Sequence, residues 1–429
     1  MDPLLLRGTA KRYVLFNVHR GLFYYDKDNK ISNHGAKTCA WSSDKNFDCH
    51  LADKKWSDGS PIKAEHYVYS YQQIKTLNDE SLTAVQGIEE VLAVSEKTLR
   101  FVFQQKEESV RHRLTSLSLS PRNKNMVFKN LKEQLFSGPY KVQSLDQKNI
   151  HLKSNNHYDS NNRPKVTGVF VDDPSAALNM YESGKLDFLR YLESSNIGVY
   201  PNVLFAPFAK LDGLFLNQEK LPLNLRKALI YALDFKALQK LYKSPSVPGC
   251  LAVPKFFFKE EIECFKFDLK KSKDSFEKFK TNDLSQVNEI KNLKIHIPSV
   301  DADEHKKLAL WAREQWLNHL GISVQIELVE TKMFYEKVQK SEYSIYRKAH
   351  PLENLSCTEA MASLKRESEF SKIKFTSKNC RDFFKEALGS YSWIPLGLPY
   401  YAHLPSKNFS GYYINLLGQF GLEDLRKIE

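Results

Sequence analysis

The sequence of 429 residues has no long uninterrupted apolar run. No stretch approaches the roughly 20 consecutive apolar residues that a membrane-spanning helix requires, and residues 1–6 are too short for a signal peptide and lack a basic leader. Hydrophobic residues nevertheless make up 42% of the chain, including 27 Phe and 21 Tyr. We therefore expect a globular protein of two or three domains, at ~100–200 residues per domain.

Linear signatures of catalysis are also missing. The sequence has no Gly-x-Ser-x-Gly, no His-Glu-x-x-His and no Gly-x-Gly-x-x-Gly after a strand-like run, and its 12 histidines are scattered singly. Those motifs place a nucleophile, a metal or a phosphate group in a defined local geometry. Their absence favours a binding protein over an enzyme, and we predict no catalytic residue, no metal and no cofactor.

The cysteines lack the Cys-x-x-Cys spacing of zinc ribbons and redox motifs. Six cysteines are present, an even number that fits three disulfides with fifteen formal pairings: Cys39, Cys49, Cys250, Cys264, Cys357 and Cys380. Disulfides persist mainly in oxidising compartments. The cysteine content therefore favours export from the cytoplasm.

The chain carries a formal net charge of +12, but its basic residues are not grouped. Even the densest stretch, residues 265–280, alternates lysines with acids, as a solvated helical face does. No zinc finger or glycine-aromatic RNA motif is present. We interpret the charge as a basic surface and predict no nucleic-acid partner.

Three segments combine strand-like and helical patterns. Residues 165–192 and 292–330 each read as strand–helix–strand, and the strand-like residues 211–219 precede a helix predicted at 224–241. Such units imply largely parallel sheets with right-handed crossovers. Between residues 97 and 152, short alternating runs predict an antiparallel sheet instead. In such α/β folds, ligands bind at the carboxyl ends of strands, often between lobes.

The stretch 54–72 joins a tight turn to a helix. Trp56-Ser-Asp-Gly-Ser-Pro61 contains the turn dipeptides Asp-Gly and Ser-Pro. Apolar residues then recur at spacings of three and four, which predicts a helix: Ala64, Tyr67, Val68 and Tyr71.

Trp-Ser-Asp-Gly-x-Pro followed by Ala-x-x-Tyr-Val-Tyr-Ser resembles the signature of the extracellular solute-binding proteins of peptide-type ABC importers. This is the oligopeptide- and dipeptide-binding family, cluster C of the periplasmic binding proteins. Further motifs follow in family order over residues 2–417, at 2–26, 137–159, 180–188, 214–238, 309–327 and 393–412.

The resemblance implies an α/β, two-lobed periplasmic-binding-protein-like fold with mixed sheets plus a small extra domain. Lobe I is expected to be discontinuous, at residues 1–35, 136–245 and 405–429. The extra domain is expected at 36–135, attached to lobe I, and lobe II at 246–404. The turn and helix at 54–72 are then scaffold, with Trp56 packed beneath the turn.

The resemblance also implies ligand-binding residues in lobe II. Residues 343–357 align without a gap with the family loop that holds the amino terminus of a peptide. Arg347 then falls on the family's arginine, and Glu353 falls on the aspartate that pairs with the ligand's ammonium. A desolvated ammonium requires such a carboxylate. Because Ala349-His350 replaces the family's Gly-Trp and Pro351 breaks the pattern, a solvated loop acid is the alternative for Glu353.

The family's opening loop corresponds to His19, Arg20, Gly21 and Leu22, which we include with His350 among the candidate ligand-binding residues. Arg20 stands where the family has Glu, which implies either an anionic ligand group or no ligand contact. Trp393, Tyr400 and Tyr401 precede or form the last strand of lobe II, where one of them lines the cleft or all of them pack in the core.

This chain is shorter than usual family members, mainly between residues 364 and 393 and in the extra domain. Cys357 and Cys380 flank the first of these shortened regions, so a disulfide across it is expected. Cys39 with Cys49 and Cys250 with Cys264 are equally local pairs, and we predict all three.

The resemblance implies an extracytoplasmic solute-binding protein of an ABC importer. Such a protein binds a peptide or another small solute between two lobes and delivers it to a membrane permease. We expect a monomer in the periplasm or another extracytoplasmic space, with its signal peptide removed. The alternative is a regulatory or interaction protein that reuses the fold, because related domains occur fused to DNA-binding helices.

Overall fold

The computed structural model describes residues 9–76, 84–124, 133–242, 244–248, 265–283, 287–300, 302–367, 370 and 379–428. The chain divides into two compact units, Met1–Ala206 with Ala402–Glu429, and Pro207–Tyr401. The lobe boundary at 245/246 stays a prediction; in this division, residues 207–245 belong to the second unit. The reason is that the strand at Lys210–Leu216 pairs with two later strands of that unit.

Helices and strands follow one another along both units. Up to residue 207 they are α1 (Thr9–Val18), β1 (Phe23–Tyr25), β2 (Ile31–Asn33), β3 (Ala36–Trp41), β4 (Asn46–Leu51), α2 (Ala64–Lys75), β5 (Ile88–Ser95), β6 (Thr98–Phe103), α3 (Val110–Arg113), β7 (Tyr140–Leu145), β8 (Asn149–Ser154), β9 (Val166–Val169), α4 (Pro174–Glu182), β10 (Phe188–Leu189) and β11 (Leu204–Pro207). The second unit then contributes β12 (Lys210–Leu216), α5 (Leu223–Tyr231), α6 (Phe235–Tyr242), β13 (Val247–Pro248), α7 (Leu269–Asn282), β14 (Lys294–Pro298), α8 (Ala302–Leu320), β15 (Gln325–Val329), α9 (Thr331–Gln339), β16 (Ile345–Pro351), α10 (Cys357–Lys365), α11 (Cys380–Gly389), β17 (Trp393–Pro395) and β18 (Gly397–Leu398). The last strands are β19 (Tyr400–Pro405), β20 (Phe409–Ser410), β21 (Tyr413–Ile414), β22 (Phe420–Gly421) and β23 (Arg426–Lys427). Within the described ranges, no helix combines the length and the apolar character needed to cross a membrane.

The first unit contains the turn and helix predicted from residues 54–72. Gly59 adopts a φ of +92° in the turn, a backbone conformation that glycine adopts without steric cost. Trp56 is fully buried, and its ring lies edge-on to His66 at a centroid distance of 5.4 Å. α2 then packs against the antiparallel sheet β3–β4–β6–β5. The predicted turn, helix and buried Trp56 are confirmed.

The second unit is built on a five-stranded sheet in the order β15–β14–β16–β12–β17. β14 is parallel to β15 and β16, whereas β12 is antiparallel to β16 and β17. The strand–helix–strand unit predicted at residues 292–330 is confirmed, because α8 connects β14 to β15. Its apolar side buries Trp311, Ala312 and Trp316 in the core. The sheet is mixed rather than largely parallel.

The single helix predicted at residues 224–241 is instead two helices, α5 and α6. Asp234 causes the break: its side chain accepts a hydrogen bond from the backbone N–H of Lys236 at 2.9 Å, as helix-starting aspartates do. Its carbonyl oxygen accepts from the N–H of Ala237 at 3.0 Å. The predicted apolar stripe is buried, and it continues beyond the break because Leu238 of α6 is buried as well; its predicted members are Ala228, Leu229, Ala232 and Leu233.

Two of the three predicted disulfides lie in the described residues, and both are present. Cys39 and Cys49 face each other across β3 and β4, with their Cα atoms 4.1 Å apart. Cys357 and Cys380 join the first residues of α10 and α11, with a Cα separation of 5.8 Å. The third predicted pair, Cys250 and Cys264, lies outside the described residues.

Replacing Cys39 and Cys49 together by alanine is expected to lower the free energy of unfolding by roughly 2–3 kcal/mol. The disulfide closes a short loop, and its removal returns conformational freedom to the unfolded chain. Urea denaturation followed by circular dichroism, under non-reducing conditions, measures the change. An unchanged midpoint and slope would contradict a stabilising role for this disulfide.

Candidate functional site

Strand β16 carries polar side chains on both of its faces. Successive side chains of a strand point in opposite directions, so Arg347 lies on one face and Tyr346, Lys348 and His350 lie on the other. In the antiparallel pairing of β12 with β16, Asp212 lies opposite Ala349, and Leu214 lies opposite Arg347. These two pairs are two residues apart along the strands, so their side chains point to the same face. Asp212 and Arg347 are therefore neighbours on one face.

The first face holds a group that we call the central charge cluster. Its members come from β12, β16, β19 and the start of α8, and they are Lys210, Asp212, Glu304, His305, Arg347 and Tyr401. Arg347 Nη2 donates to Asp212 Oδ2 at 2.8 Å, and its Nη1 donates to His305 Nδ1 at 2.6 Å. Lys210 Nζ lies 3.1 Å from Asp212 Oδ2 and donates to Glu304 Oε1 at 3.0 Å. It also donates to the Tyr401 hydroxyl at 3.0 Å.

The charges of this cluster are deeply buried and balanced. The side chains of Arg347, Asp212 and Lys210 are 1%, 2% and 5% exposed, and only Glu304, at 23%, has appreciable contact with solvent. Two cations face two carboxylates. Buried charges need such pairing and hydrogen bonding, because desolvation alone is costly. The cluster therefore supplies rigidly held polar groups without a large net charge.

The pKa values follow from this arrangement. Burial alone would lower the pKa of Lys210, but Asp212 and Glu304 outweigh it and hold that pKa well above its usual value. Burial likewise opposes ionisation of Glu304, yet Lys210 and Arg347 lower its pKa to about 2. Burial, and then the charge of Arg347, lower the pKa of His305 to about 3. His305 is neutral at neutral pH, as it must be to accept a hydrogen bond from Arg347.

The opposite face of β16 holds a second group, the rear cluster: Tyr346, Lys348, His350 and Glu367. The Glu367 side chain is 1% exposed. It accepts from the Tyr346 hydroxyl at 2.8 Å and from Lys348 Nζ at 2.7 Å, and His350 Nε2 lies 2.7 Å from its Oε1. Burial would raise the pKa of Glu367, but His350 and Lys348 lower it to about 2. β16 is thus held by ionic contacts on both sides.

The structure separates the three ligand-binding residues predicted on and after β16. Arg347 belongs to the central charge cluster, and His350 belongs to the rear cluster. Glu353 is half-buried in the bend between β16 and α10. Arg347 thus lies within β16 and Glu353 follows the end of that strand, while His350 faces the side of the sheet opposite to Arg347.

The two candidates near the last strand of this unit differ in their surroundings. Trp393 on β17 is fully buried, and its ring stacks on Phe215 at a centroid distance of 6.5 Å. A side chain at Gly213 would collide with it. These contacts favour core packing for Trp393. Tyr400 is half-buried, and its N–H donates to Ser246 Oγ at 2.9 Å.

The four candidates in the first unit, residues 19–22, follow α1 directly and are all buried. Arg20 Nη2 donates to Glu423 Oε2 at 2.8 Å, and its guanidinium lies 3.9 Å from the ring centroid of Phe16. Its backbone N–H donates to Ser137 Oγ at 2.9 Å. The charge of Arg20 thus has a partner in its own chain, which favours the interpretation that Arg20 makes no ligand contact.

Sequence reasoning named Arg347 and Tyr401 but missed the other four members of the central charge cluster, and some of these left a signal. Lys210 and Asp212 are two charges in the otherwise apolar run Lys-Leu-Asp-Gly-Leu-Phe-Leu of β12, which is unusual for a buried strand unless the charges are paired. Glu304 and His305 carried a weaker signal, as polar residues at the start of a predicted helix. Within the described part of the chain, no three His, Cys, Asp or Glu side chains are placed to hold a metal ion.

Comparison with known proteins decides the family. Residues 30–368 match the model of the bacterial extracellular solute-binding proteins, family 5, middle region. The chain belongs to this family. It is 25% identical over 393 residues to the oligopeptide-binding protein OppA of Bacillus subtilis. The aligned region covers 81% of this chain and 72% of that protein. The predicted family is confirmed.

Solved structures show the same fold. The murein tripeptide binding protein MppA of Escherichia coli matches with a TM-score of 0.80 at 18% identity, covering 100% of this chain and 96% of that one. Haemophilus influenzae OppA in complex with RPPGFSPFR matches with a TM-score of 0.78 at 19% identity, with coverages of 100% and 96%. The predicted α/β periplasmic-binding-protein fold with mixed sheets is confirmed.

In this solute-binding protein, Asp212→Asn is expected to lower the free energy of unfolding by about 3–5 kcal/mol. It leaves the buried cations of Arg347 and Lys210 without a full countercharge. The control is Lys294→Met, which breaks the pair with Glu327, where both side chains are 42% exposed. We expect it to cost less than ~1 kcal/mol. Urea denaturation at neutral pH measures both changes in the free energy of unfolding. Equal losses in the two variants would contradict the prediction that the buried pair matters more than the exposed one.

The stability of the protein is expected to fall as the pH drops below the usual pKa of histidine, ~6.5. His305 has a folded-state pKa of about 3, so between these values the unfolded chain binds a proton that the native chain does not. The contribution of His305 to the free energy of unfolding is complete above pH ~6.5. Below this pH, it declines by up to ~1.4 kcal/mol per pH unit.

His305→Asn is therefore expected to make the unfolding free energy less sensitive to acid over this range. Urea denaturation at about pH 7 and about pH 5 measures the difference. His50→Asn, a change at an exposed side chain, serves as the matched control. An equally steep pH dependence in His305→Asn and in the unchanged protein would show that His305 is not held neutral.

Proposed function

We propose that this protein is the extracytoplasmic solute-binding component of an ABC importer, and that it binds a peptide or a similar small solute and delivers it to a membrane permease. The observation that carries this proposal is the family match over residues 30–368. The named function of its oligopeptide-binding relatives gives the solute class. Delivery requires no covalent step, which fits a site built from fixed charges and hydrogen-bonding groups.

Glu353 is the proposed acceptor of the ligand's ammonium group. It is held between two fixed elements: β16 is anchored by both charge clusters, and Ser356 caps α10 by accepting from the Glu359 N–H at 3.1 Å. A half-buried carboxylate on a rigid bend interacts more strongly with an ammonium than an exposed one does. In this proposal Arg347 positions the strand, since its charge is already satisfied by Asp212 and His305.

The proposed location is the periplasm or another extracytoplasmic space. Two disulfides in the described residues support it, because disulfides persist in oxidising compartments. The proposed partners are the solute and a permease in the cytoplasmic membrane, and the protein is proposed to act as a monomer.

The proposal is tested by isothermal titration calorimetry with a mixture of short peptides, followed by native mass spectrometry to identify those retained. At least one peptide is expected to bind saturably. Acetylating its N-terminus is expected to weaken binding by about tenfold or more, because a charge-assisted hydrogen bond is worth ~1.5–3 kcal/mol.

Glu353→Gln should produce a similar loss with the free peptide and little further loss on acetylation. Glu336→Gln, at an exposed position of α9, is the matched control and should bind as the unchanged protein does. If no peptide in the mixture binds, the peptide part of the proposal is wrong. If peptides bind but Glu353→Gln has no effect, only the role of Glu353 is wrong.

A further inference from the structure

A cavity of about 550 Å³ lies in the second unit. It is bordered by the end of α5, the start of α7, the end of α11 and the connection from α11 to β17. Four aromatic side chains line it: Tyr231, Phe265, Phe267 and Tyr391. We call this cavity the aromatic cup. Its volume falls within the range of about 300–1,000 Å³ that is typical of small-molecule sites.

The rings of the aromatic cup are close together yet accessible. The rings of Tyr231 and Tyr391 are 6.2 Å apart, and that of Phe265 lies 5.6 Å from Tyr391. Phe267 is 41% exposed. Tyr391 has a φ of +55°, a backbone conformation that bulky residues rarely adopt. Phe265 and Tyr391 pack against the core on one side, and Tyr391 directly follows the C-cap of α11, so the cup is an aromatic surface fixed from behind with the exposed ring of Phe267 at its edge.

The charge around the aromatic cup is positive. Lys266, Lys271 and Lys385 line it, and Asp268 is the one acid among its lining residues. The Asp268 carboxylate accepts from the backbone N–H of Lys271 at 2.9 Å as the cap of α7. It also lies 3.6 Å from Lys271 Nζ, and Lys385 Nζ lies 3.7 Å from Asp382 Oδ1, both in exposed pairs that solvent screens. Lys271 Nζ lies 5.5 Å from the ring centroid of Tyr231. Cationic groups therefore lie beside ring faces at the same cavity.

We propose that the aromatic cup binds a small organic anion that carries a flat aromatic group, such as an aromatic carboxylate or sulfonate. The rings stack on the flat group, and the lysine ammonium groups compensate the anion. A bare inorganic anion uses only the lysines, and a neutral aromatic molecule uses only the rings. Neither a member of the central charge cluster nor Glu353 lines the cup, so this proposal does not rest on the proposed function.

The test uses naphthalene-2-sulfonate as the probe and isothermal titration calorimetry on the full chain. One saturable site per chain is expected. The double variant Lys271→Gln/Lys385→Gln should bind about tenfold more weakly, because each exposed charge pair contributes up to ~1 kcal/mol. The matched control, Lys332→Gln/Lys340→Gln, removes the same charge from exposed positions in α9 and at its C-cap and should bind as the unchanged protein does.

Three outcomes would overturn the proposal. The first is the absence of saturable binding, and the second is an equal loss in the cup variant and its control. The third is equal affinity for the neutral analogue naphthalene-2-sulfonamide, which we expect to bind about tenfold more weakly. If a peptide that binds this protein displaces the probe, the probe occupies the solute site and the cup is not an independent site.

Discussion

The second unit depends on the buried ion pair between Asp212 and Arg347. It joins two neighbouring strands, β12 and β16, and its two residues are 135 positions apart in the sequence. Removing either partner leaves an uncompensated charge in the interior, and this is far more costly than the pair itself is stabilising. The pairing of the two strands and the placement of α8 over them are therefore fixed by the same few contacts.

Burial of this pair has consequences for its neighbours. Arg347 offers further donors after pairing with Asp212, and His305 accepts from one of them only while it is neutral. Lys210 can be buried beside Arg347 because Glu304 adds a second carboxylate at 3.0 Å. A charge-balanced network of this kind is stable at neutral pH and sensitive to acid, since protonation of His305 or Glu304 removes an acceptor that a buried cation needs.

The parts of the fold that local sequence patterns determine were predicted well. The turn and helix at 54–72 and the β14–α8–β15 unit follow from turn residues and hydrophobic spacing, which act over a few residues. The central charge cluster does not follow from local sequence patterns, because its residues meet only when β12 pairs with β16. Arg20 shows the same limit: its partner Glu423 is 403 positions away, so the sequence alone left its role open. The helix break at Asp234 was missed because the apolar stripe continues through it.

The balance of charge in the central cluster bears on how a ligand is recognised. Because two cations cancel two carboxylates and His305 is neutral, the cluster as a whole exerts little attraction on a charged solute. A solute with an ammonium group therefore needs a carboxylate whose charge is not consumed by the cluster. In the proposed function, Glu353, which follows the strand that the cluster anchors, supplies this carboxylate. A substitution in the cluster is then expected to lower stability, whereas the proposal expects a substitution at Glu353 to lower affinity for the solute.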